Sequence, residues 1–346
     1  MNKISVCVPS YNRPEMMKQL VASFINQDYS NKELIISDDS TNKSVEEVAK
    51  KYKNQDVHIH KNKQNLGYSK NLLQAMLEAT GQFVLILGDD DLLVSRHALS
   101  AYVSIFEKYP EVNYIYSNGV QFSNKLKIEH LTDIFYKDTY FNRGNDAMKG
   151  IWTTSVFIPG MGIRNNKELY KFYPTDNILF PQVELVGNII NQSDAFGIST
   201  YLIGGRAHKE QLGFYAIKEE RIKGGERHGN VELFDIFKKL KLKYNLSITD
   251  DFLSESLING SVIMLLKEKM IIGNRLMSKN YTNFCNVSRR AMGSKRLKFS
   301  YLMALILPAF IISIMRKLNI FLYRMEHAKS IASLEGELNE IVSIKL

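Results

Sequence analysis

Three clusters of polar residues follow short apolar runs, and their side chains could do chemistry together. The clusters are Tyr-Asn-Arg at 11–13, Asp-Asp-Ser at 38–40 and three adjacent aspartates at 89–91. Adjacent carboxylates repel one another unless a cation or strong hydrogen-bond donors lie nearby. Oxygen ligands without cysteine suit Mg²⁺ or Mn²⁺, ions that commonly hold a nucleotide diphosphate. The aspartates therefore predict a divalent-metal site, with plain capping of the following helix, near Ser95, as the alternative.

Alternating strands and helices must position these clusters. The apolar runs predict strands at 4–8, 33–36, 57–60 and 83–87. Helical spacing predicts helices that begin at Pro14, at Ser44 (over 44–53, with Glu47 completing a capping box) and at Lys70 (over 70–79). Since the carboxyl ends of parallel strands form the ligand crevice of an open α/β sheet, we expect the three clusters to converge.

Composition excludes several classes of protein. The chain has 346 residues with 45% apolar and 23% charged side chains, which is ordinary for a folded protein and excludes a disordered or fibrous one. Its two cysteines, Cys7 and Cys285, are too far from other thiols or imidazoles to predict a disulfide scaffold or a zinc site. The apolar run at 4–8 is too short for a signal peptide, so we expect a cytoplasmic protein.

The formal net charge of +9 is concentrated in one region. Residues 261–325 contain twelve Lys or Arg side chains and one acidic side chain, Glu268, so the rest of the chain is slightly acidic. Within this region, 301–315 carries no charge and contains Pro308. Fifteen helical residues reach about 22 Å, which is shorter than a bilayer core of about 30 Å. The pattern favours two helices that lie on an anionic membrane surface, with a buried hairpin or a subunit contact as alternatives.

The order and spacing of the polar clusters resemble family 2 glycosyltransferases of the GT-A fold. The resembling motifs cover roughly the first third of the chain: Ser5-Val-Cys-Val-Pro-Ser-Tyr-Asn-Arg13, Glu33-Leu-Ile-Ile-Ser-Asp-Asp-Ser40, Asn65-Leu-Gly67 with Lys70-Asn71, and Leu87-Gly-Asp-Asp-Asp91. The resemblance implies an α/β fold with a Rossmann-like, mostly parallel sheet that binds a nucleotide sugar. It also implies inverting sugar transfer to a hydroxyl with Mn²⁺ or Mg²⁺. A looser similarity links the chain to abequosyltransferase-like enzymes of O-antigen assembly.

The resemblance assigns site residues motif by motif. It places seven residues around the nucleotide sugar: Pro9, Tyr11, Arg13, Asp39, Asn65, Gly67 and Lys70. Asp90 is implied as the principal metal ligand, with Asp89 and Asp91 as joint candidates, because Gly88 stands where the family's Asp-x-Asp-Asp pattern begins. Asp89 is also expected to border the nucleotide.

The catalytic base and the far end of the site depart from the family pattern or are less specific. The family's Glu-Asp pair at the start of a helix is replaced by Pro181-Gln182, so Asp176 and Glu184 become the candidate bases and Asp194 a more distant one. A Gly-rich segment resembles the family's Arg-x-His motif and implies that Arg206 meets a phosphate and that His208 completes the metal shell or touches the diphosphate.

Together these features predict a domain order. A GT-A catalytic domain is expected at 1–215, with a nucleotide-sugar half at 1–120 and an acceptor half at 121–215. A mobile loop at 216–230, a basic helical membrane-associating region at 231–325 and a helical tail at 326–346 are expected to follow. The tail places Ile331, Leu334, Leu338 and Ile341 at helical spacing, which suggests a homo-oligomer contact.

The predicted function is transfer of a sugar to a lipid-linked or polymeric glycan acceptor in bacterial surface-polysaccharide synthesis, at the inner face of the cell membrane. One alternative is a metal-dependent nucleotidyltransferase, which would normally carry a Gly-rich loop after the first strand. Another is a basic nucleic-acid-binding protein. The apolar stretch at 305–312 suits lipid better than a duplex, so we expect no nucleic-acid partner.

Overall fold

The alternating apolar runs form strands of one sheet in the computed structural model, which describes residues 1–174, 179–207 and 229–343. The strands are β1 (Ile4–Ser10), β2 (Lys32–Asp38), β3 (Val57–Lys61), β4 (Phe83–Ile86), β5 (Leu92–Leu93), β6 (Val112–Phe122), β7 (Ile128–Thr132), β8 (Thr139–Phe141), β9 (Met161–Arg164) and β10 (Asp194–Arg206). The helices between them are α1 (Pro14–Ile25), α2 (Ser44–Lys50), α3 (Tyr68–Glu78), α4 (Ala98–Lys108), α5 (Asn145–Gly150) and α6 (Pro181–Ile190). Short 3₁₀ turns lie at Lys53–Gln55, Trp152–Val156 and Lys167–Phe172.

The sheet is parallel where the polar clusters were predicted and mixed beyond. Its strand order in the described residues is β3-β2-β1-β4-β9-β6-β10-β5, with β7 beside β6 and β8 beside β10. Strands β3, β2, β1 and β4 run parallel, whereas β9 is antiparallel to both β4 and β6. The wholly apolar β4 is buried throughout and lies inside the sheet, as its sequence predicts. The expected α/β architecture is confirmed.

Strand alternation divides the core between the two faces of the sheet. On β1, Ile4, Val6 and Val8 face the layer of α1, α2 and α4, whereas Cys7 faces the layer that contains α3 and α6. Cys7 is a buried free thiol, as is expected for a cysteine that serves as a small apolar side chain. Both faces of the sheet are therefore covered, which leaves the strand ends as its open edge.

Helices make up the described chain after residue 228. They are α7 (Gly229–Tyr244), α8 (Asp250–Val287), α9 (Arg289–Gly293), α10 (Lys295–Ile306), α11 (Ala309–Glu326) and α12 (Ala328–Ser343). Helix α8 is kinked at Gly273, whose φ is +73°. Pro308 separates α10 from α11, so the predicted pair of helices is confirmed. No helix in the described ranges is long and apolar enough to cross a membrane.

Two sequence-based expectations are wrong. Ser44 does not form a capping box, because its own N–H donates to the side chain of Asn42 at 2.9 Å and Lys43 occupies the cap position. The apolar residues of α12 are not free for an oligomer contact. Ile331, Leu338 and Ile341 are buried within the chain, and Ile331 and Leu338 join the core on the α1 side of the sheet.

A buried carboxylate joins the first strands at the edge opposite the polar clusters. Glu33 accepts hydrogen bonds from Ser5 Oγ at 2.5 Å and from Thr80 N at 2.7 Å, and it pairs with Lys3 at 2.5 Å. Burial alone would raise the pKa of Glu33, but hydrogen bonds from Lys3, Ser5 and Thr80 outweigh it and lower the pKa to about 2.

We predict that this interaction makes stability pH-dependent. Because the folded pKa of Glu33 lies below the unfolded value of about 4.3, its stabilisation is complete above that value. It should be lost as the pH falls towards about 2. Glu33→Gln should lower the free energy of unfolding at neutral pH by about 2–3 kcal/mol and flatten its fall in acid, as measured by urea unfolding.

The matched control is Glu15→Gln, which changes a carboxylate that is 80% exposed. It should leave the pH profile unchanged. A Glu33→Gln profile that superimposes on that of the wild type would contradict the assignment.

Candidate functional site

The polar clusters converge at the carboxyl ends of β1, β2 and β4. Ser10 lies opposite Asp38 in the strand register, and the Asp39 N–H donates to the Ser10 carbonyl at 2.9 Å. The Leu87 N–H donates to the Cys7 carbonyl at 3.1 Å, which brings the aspartate turn alongside the first cluster. The predicted convergence is confirmed, and these loops form one crevice at the sheet edge.

Arg13 holds two of the three aspartates. Its Nη1 contacts Asp89 Oδ1 at 2.9 Å and Asp90 Oδ2 at 3.0 Å. Asp89 also accepts hydrogen bonds from the Tyr11 N–H at 3.0 Å and from Ser10 Oγ at 3.2 Å. Burial alone would lower the pKa of Arg13, but Asp89 and Asp90 raise it above its usual value. Arg13 therefore binds the aspartate turn, and its expected place in the nucleotide pocket stays a prediction.

Asp91 is held from behind by backbone groups. Its Oδ2 accepts the Gly88 N–H at 2.7 Å, and the side chain is buried. Burial and the neighbouring charge of Asp90 raise the pKa of Asp91. Burial also raises the pKa of Asp89, although Arg13 opposes this shift, and the charge of Asp90 adds to it. The turn thus gathers three carboxylates whose negative charge is only partly balanced by protein.

Gly88 explains the departure from the Asp-x-Asp-Asp pattern. A Cβ at this position would lie 2.7 Å from Asp91 Oδ2 and 2.9 Å from Asp90 Oδ1. A side chain at position 88 would therefore displace the two carboxylates that follow. In this chain the aspartate cluster is 89–91, and the glycine before it leaves the side chains of Asp90 and Asp91 in their present positions.

Arg206 lies beneath the aspartate turn, at the end of β10. Its Nε donates to the Asp90 carbonyl at 3.1 Å, and its Nη2 donates to Gln19 Oε1 at 2.5 Å. The guanidinium carbon lies 4.7 Å from the centre of the Phe122 ring. Burial lowers the pKa of Arg206, although Asp90 and Asp91 oppose the shift. Arg206 supports the backbone of the cluster, and the expected phosphate contact stays a prediction.

Asp39 anchors the loop that leads into α3. Its Oδ2 accepts the N–H groups of Leu66 and Gly67, each at 3.0 Å, and its Oδ1 accepts Asn62 Nδ2 at 2.8 Å. Gly67 has a φ of +76°, a backbone conformation that suits glycine. Asp39 therefore already fixes the loop before α3. Its expected contact with a nucleotide base stays a prediction.

The remaining predicted nucleotide residues differ in exposure. Pro9 is buried in β1 opposite Ser37, whereas Tyr11 is 46% exposed beside the crevice. Asn65 and Lys70 are exposed at the start of α3, and the Asn65 side chain accepts the Gly67 N–H at 2.8 Å. Tyr11, Asn65 and Lys70 can therefore reach a ligand without rearrangement of the core.

Two asparagines connect the loops: Asn62, which sequence reasoning missed, and Asn71, which lies in a resembling motif but was given no role. Asn62, directly after β3, donates to Asp39 and to Asn71 Oδ1 at 3.1 Å. Asn71 in turn donates to the Ser10 carbonyl at 3.2 Å. The position of Asn62 at a strand end was an available signal, because β3 ends at the same edge as β1 and β2.

The candidate bases occupy different places. Glu184 is on α6, where it forms an ion pair with Lys239 of α7. Asp194 begins β10 and accepts the Tyr140 hydroxyl. Arg206 ends β10, and the strand lies opposite the β6 residues from Val112 to Phe122, so at the usual rise per residue Asp194 lies roughly 30 Å from the aspartate turn. The suggestion that Asp194 is a base is wrong for this reason. Asp176, His208 and the predicted loop up to residue 228 lie outside the described residues.

The aspartate cluster fits a divalent cation by its chemistry. Within the described ranges, no group of three or more His, Cys, Asp or Glu side chains is already arranged as a metal-ligand set. Asp89, Asp90 and Asp91 nevertheless offer only hard oxygen donors, and burial with mutual repulsion raises the pKa of Asp89 and Asp91. Such a donor set suits Mg²⁺ or Mn²⁺.

Comparison with known proteins identifies the relatives of this chain. The family model described as Glycosyl transferase family 2 matches residues 5–168. A GalNAc(5)-diNAcBac-PP-undecaprenol beta-1,3-glucosyltransferase of Campylobacter jejuni is 34% identical over 100 residues, which cover 28% of this chain and 32% of the relative. Abequosyltransferase RfbV of Salmonella typhimurium is 35% identical over 95 residues, which cover 26% of this chain and 28% of the relative. The chain thus spans about a third of the length of these curated relatives.

A solved structure shares the fold over nearly the whole chain. Residues 1–349 of Staphylococcus aureus TarS, crystallised with UDP-GlcNAc, match with a TM-score of 0.56 and 16% identity. The match covers 95% of this chain and 92% of the TarS chain. The similarity extends through the C-terminal helices. The TarS structure therefore shares the predicted arrangement of a GT-A sheet followed by a helical region.

The Gly88 geometry yields a prediction for stability. Gly88→Ala should lower the free energy of unfolding by about 1–3 kcal/mol, because the new methyl group displaces the buried carboxylates of Asp90 and Asp91. Urea unfolding at neutral pH measures the change.

Gly336→Ala is the control, because an added Cβ meets nothing within 4 Å at this position of α12. It should leave stability unchanged or raise it by up to about 1 kcal/mol, since alanine favours helix. Equal stabilities of the two variants would contradict the steric argument.

Proposed function

Through residues 5–168 the chain belongs to glycosyl transferase family 2, and we propose that it transfers a sugar from a nucleotide-sugar donor to a hydroxyl of a glycan acceptor. The observation that carries this proposal is the buried aspartate turn, held by Arg13 at the point where three strand-end loops meet. The acceptor is proposed to be a lipid-linked or polymeric glycan of a bacterial surface polysaccharide. The Campylobacter relative, whose name specifies an undecaprenol diphosphate, supports this choice.

Each part of the crevice has a proposed role toward the donor. Tyr11, Asn65 and Lys70 are exposed around the entrance and would contact the nucleotide sugar. A Mn²⁺ or Mg²⁺ ion held by Asp90 and Asp91, with Asp89 and His208 as further candidates, would neutralise the charge that develops on the departing diphosphate. Arg13 would hold Asp89 and Asp90 in position and favour the ionised form of Asp89.

The proposed reaction inverts the anomeric carbon. An acceptor hydroxyl attacks that carbon from the side opposite the diphosphate, a new carbon–oxygen bond forms, and the bond to the diphosphate breaks. A carboxylate must take the proton of the hydroxyl. Gln182 stands where the family usually has a carboxylate, but an amide accepts hydrogen bonds without acting as a base, and its Oε1 accepts the Tyr68 hydroxyl at 3.3 Å.

Asp176 is the proposed base. Glu184, the alternative, is committed to the ammonium of Lys239 and faces α7. Pro174 stands two residues before Asp176, and its carbonyl accepts the Ser69 hydroxyl at 3.2 Å, which places Pro174 beside the start of α3. The Gly67–Ser69 turn borders the crevice through Asp39, which supports this assignment.

A panel of nucleotide sugars incubated with Mn²⁺ tests the proposal. We expect one donor to be consumed by the wild type, and Asp90→Asn and Asp91→Asn to reduce turnover at least 100-fold, since each removes a carboxylate that would hold the metal against the diphosphate. Asp176→Asn should reduce turnover by a similar factor while Glu184→Gln retains most of it. Turnover of no donor, or full activity of Asp90→Asn, would contradict the proposal.

We further propose that α10 and α11 dock on the inner face of the cell membrane. Their outward side chains are apolar and more than half exposed: Phe299, Leu302, Ile306, Phe310, Ile314, Met315, Leu318, Phe321, Leu322 and Met325. Exposed cations border this face, among them Lys298 and Lys317. Apolar side chains flanked by Lys and Arg are what an anionic lipid surface attracts.

The opposite side of α11 is fixed to the sheet. The Tyr323 hydroxyl accepts the Leu131 N–H at 3.3 Å, and Arg316 pairs with Glu129 at 3.5 Å. Helix α11 therefore turns Arg316 and Tyr323 towards the sheet, whereas most of its exposed side chains are apolar. This orientation supports a docking face over a core helix.

The docking face predicts vesicle binding. The double variant Phe310→Ser, Leu318→Ser should lose at least tenfold in affinity for vesicles with about a third anionic phosphatidylglycerol, because two apolar anchors are removed. Co-sedimentation measures the affinity. Leu242→Ser is the control, since Leu242 is 84% exposed on α7 and lies outside the face. Salt-sensitive DNA binding without vesicle binding, or self-association that the double variant abolishes, would contradict membrane docking.

A further inference from the structure

A cavity of about 330 Å³ lies outside the aspartate site. It is open to solvent on one side and is lined by the 3₁₀ turn at Lys167–Phe172, helix α6 and helix α7. Three lysines reach it from two different elements: Lys171, Lys239 and Lys243. Glu184 is the only acidic residue among the described residues that line it. Its size is in the range of small-ligand pockets, and its lining carries an excess of positive charge.

The ammonium group of Lys243 is held in place without a carboxylate. Its Nζ donates to Asn188 Oδ1 at 2.5 Å and lies 4.1 Å from the centre of the Phe172 ring. Within the described part of the chain, no acidic side chain lies within ion-pair distance of Lys243. A cation fixed by an amide and a ring loses little side-chain entropy when an anion binds to it.

The other two lysines differ in how firmly they are paired. Lys239 contacts Glu184, whose side chain is only 10% exposed. Lys171 meets Glu168 at 3.7 Å, but both side chains are more than half exposed, so this pair contributes little. The cavity therefore has one neutralised lysine and two whose charge is available to a ligand.

The cavity is connected to the crevice through one wall. Tyr173, which lines it, donates its hydroxyl to the Ser69 carbonyl at 2.9 Å. Ser69 adjoins Tyr68, whose hydroxyl donates to Gln182 at the start of α6. The same helix carries Glu184 and Asn188 into the cavity. The cavity thus lies on the acceptor side of the proposed reaction, behind the residues that border the crevice.

We propose that this cavity binds a phosphate group of the acceptor, an inference that rests on the proposed glycosyltransferase function. Lys171 and Lys243 supply the charge and the hydrogen-bond donors that phosphate oxygens require. Glu184 holds Lys239 in position and limits the positive charge of the cavity. Glu184 is then a positioning residue of the cavity, acting through Lys239, instead of a base. The phosphate belongs either to a lipid diphosphate or to a phosphodiester in a polymer.

Isothermal titration with inorganic pyrophosphate and, separately, with dimethyl phosphate tests the cavity. EDTA is present throughout, so that the aspartate site cannot contribute through a metal. We expect the wild type to bind one probe, pyrophosphate if the source is a lipid diphosphate and dimethyl phosphate if it is a phosphodiester. Lys243→Gln and, independently, Lys171→Gln should each weaken binding about tenfold. Glu184→Gln should strengthen it about threefold to tenfold, because a competing negative charge is removed.

Lys238→Gln is the matched control, because Lys238 is exposed on α7 next to Lys239 but does not line the cavity. It should leave the affinity unchanged. Absence of binding by the wild type, or an equal loss in Lys238→Gln and Lys243→Gln, would overturn the proposal. Because this titration needs no turnover, an absence of transfer with every donor would refute the proposed function and leave the measured anion binding as it stands.

Discussion

The structure depends on the burial of three adjacent carboxylates at one edge of a sheet. Such a cluster is unfavourable unless its charge is shared, and the chain shares it between Arg13 in front and backbone donors behind. This requirement explains why the first loop turns towards the aspartates, why position 88 is a glycine, and why Arg206 supports the backbone of Asp90. Together these contacts fix the loops that form the crevice at the carboxyl ends of β1, β2 and β4.

Much of this arrangement could be predicted from the sequence because it depends on local patterns. Apolar runs of strand length, followed at once by Asp or Tyr-Asn-Arg, place the clusters at one sheet edge whatever the distant contacts are. Contacts between distant segments could not be predicted in this way. Asn62 looks like an ordinary loop residue and the motif around Asn71 does not specify its partner, yet together they join Asp39 to β1.

Helix α12 is a second example in which the sequence pattern does not identify the packing partner. Helical spacing of Ile331 and Leu338 correctly predicts an apolar stripe, but a stripe does not specify its partner. The structure supplies the partner from within the chain, where Glu337 accepts Ser95 Oγ at 2.8 Å and Glu335 accepts the Ile128 N–H at 2.7 Å. Ser44 is a similar case, since the capping signal was present but a neighbouring Asn42 provides the acceptor.

Helix α12 packs against the sheet and so restricts the position of α10 and α11. Helices α10 and α11 are attached to the rest of the protein at both ends, through α8 before them and through α12 after them. If their apolar face rests on a bilayer, the aspartate crevice is held at one height and one tilt above the lipid. In that case, acceptor hydroxyls would be selected by their distance from the membrane as well as by their chemistry.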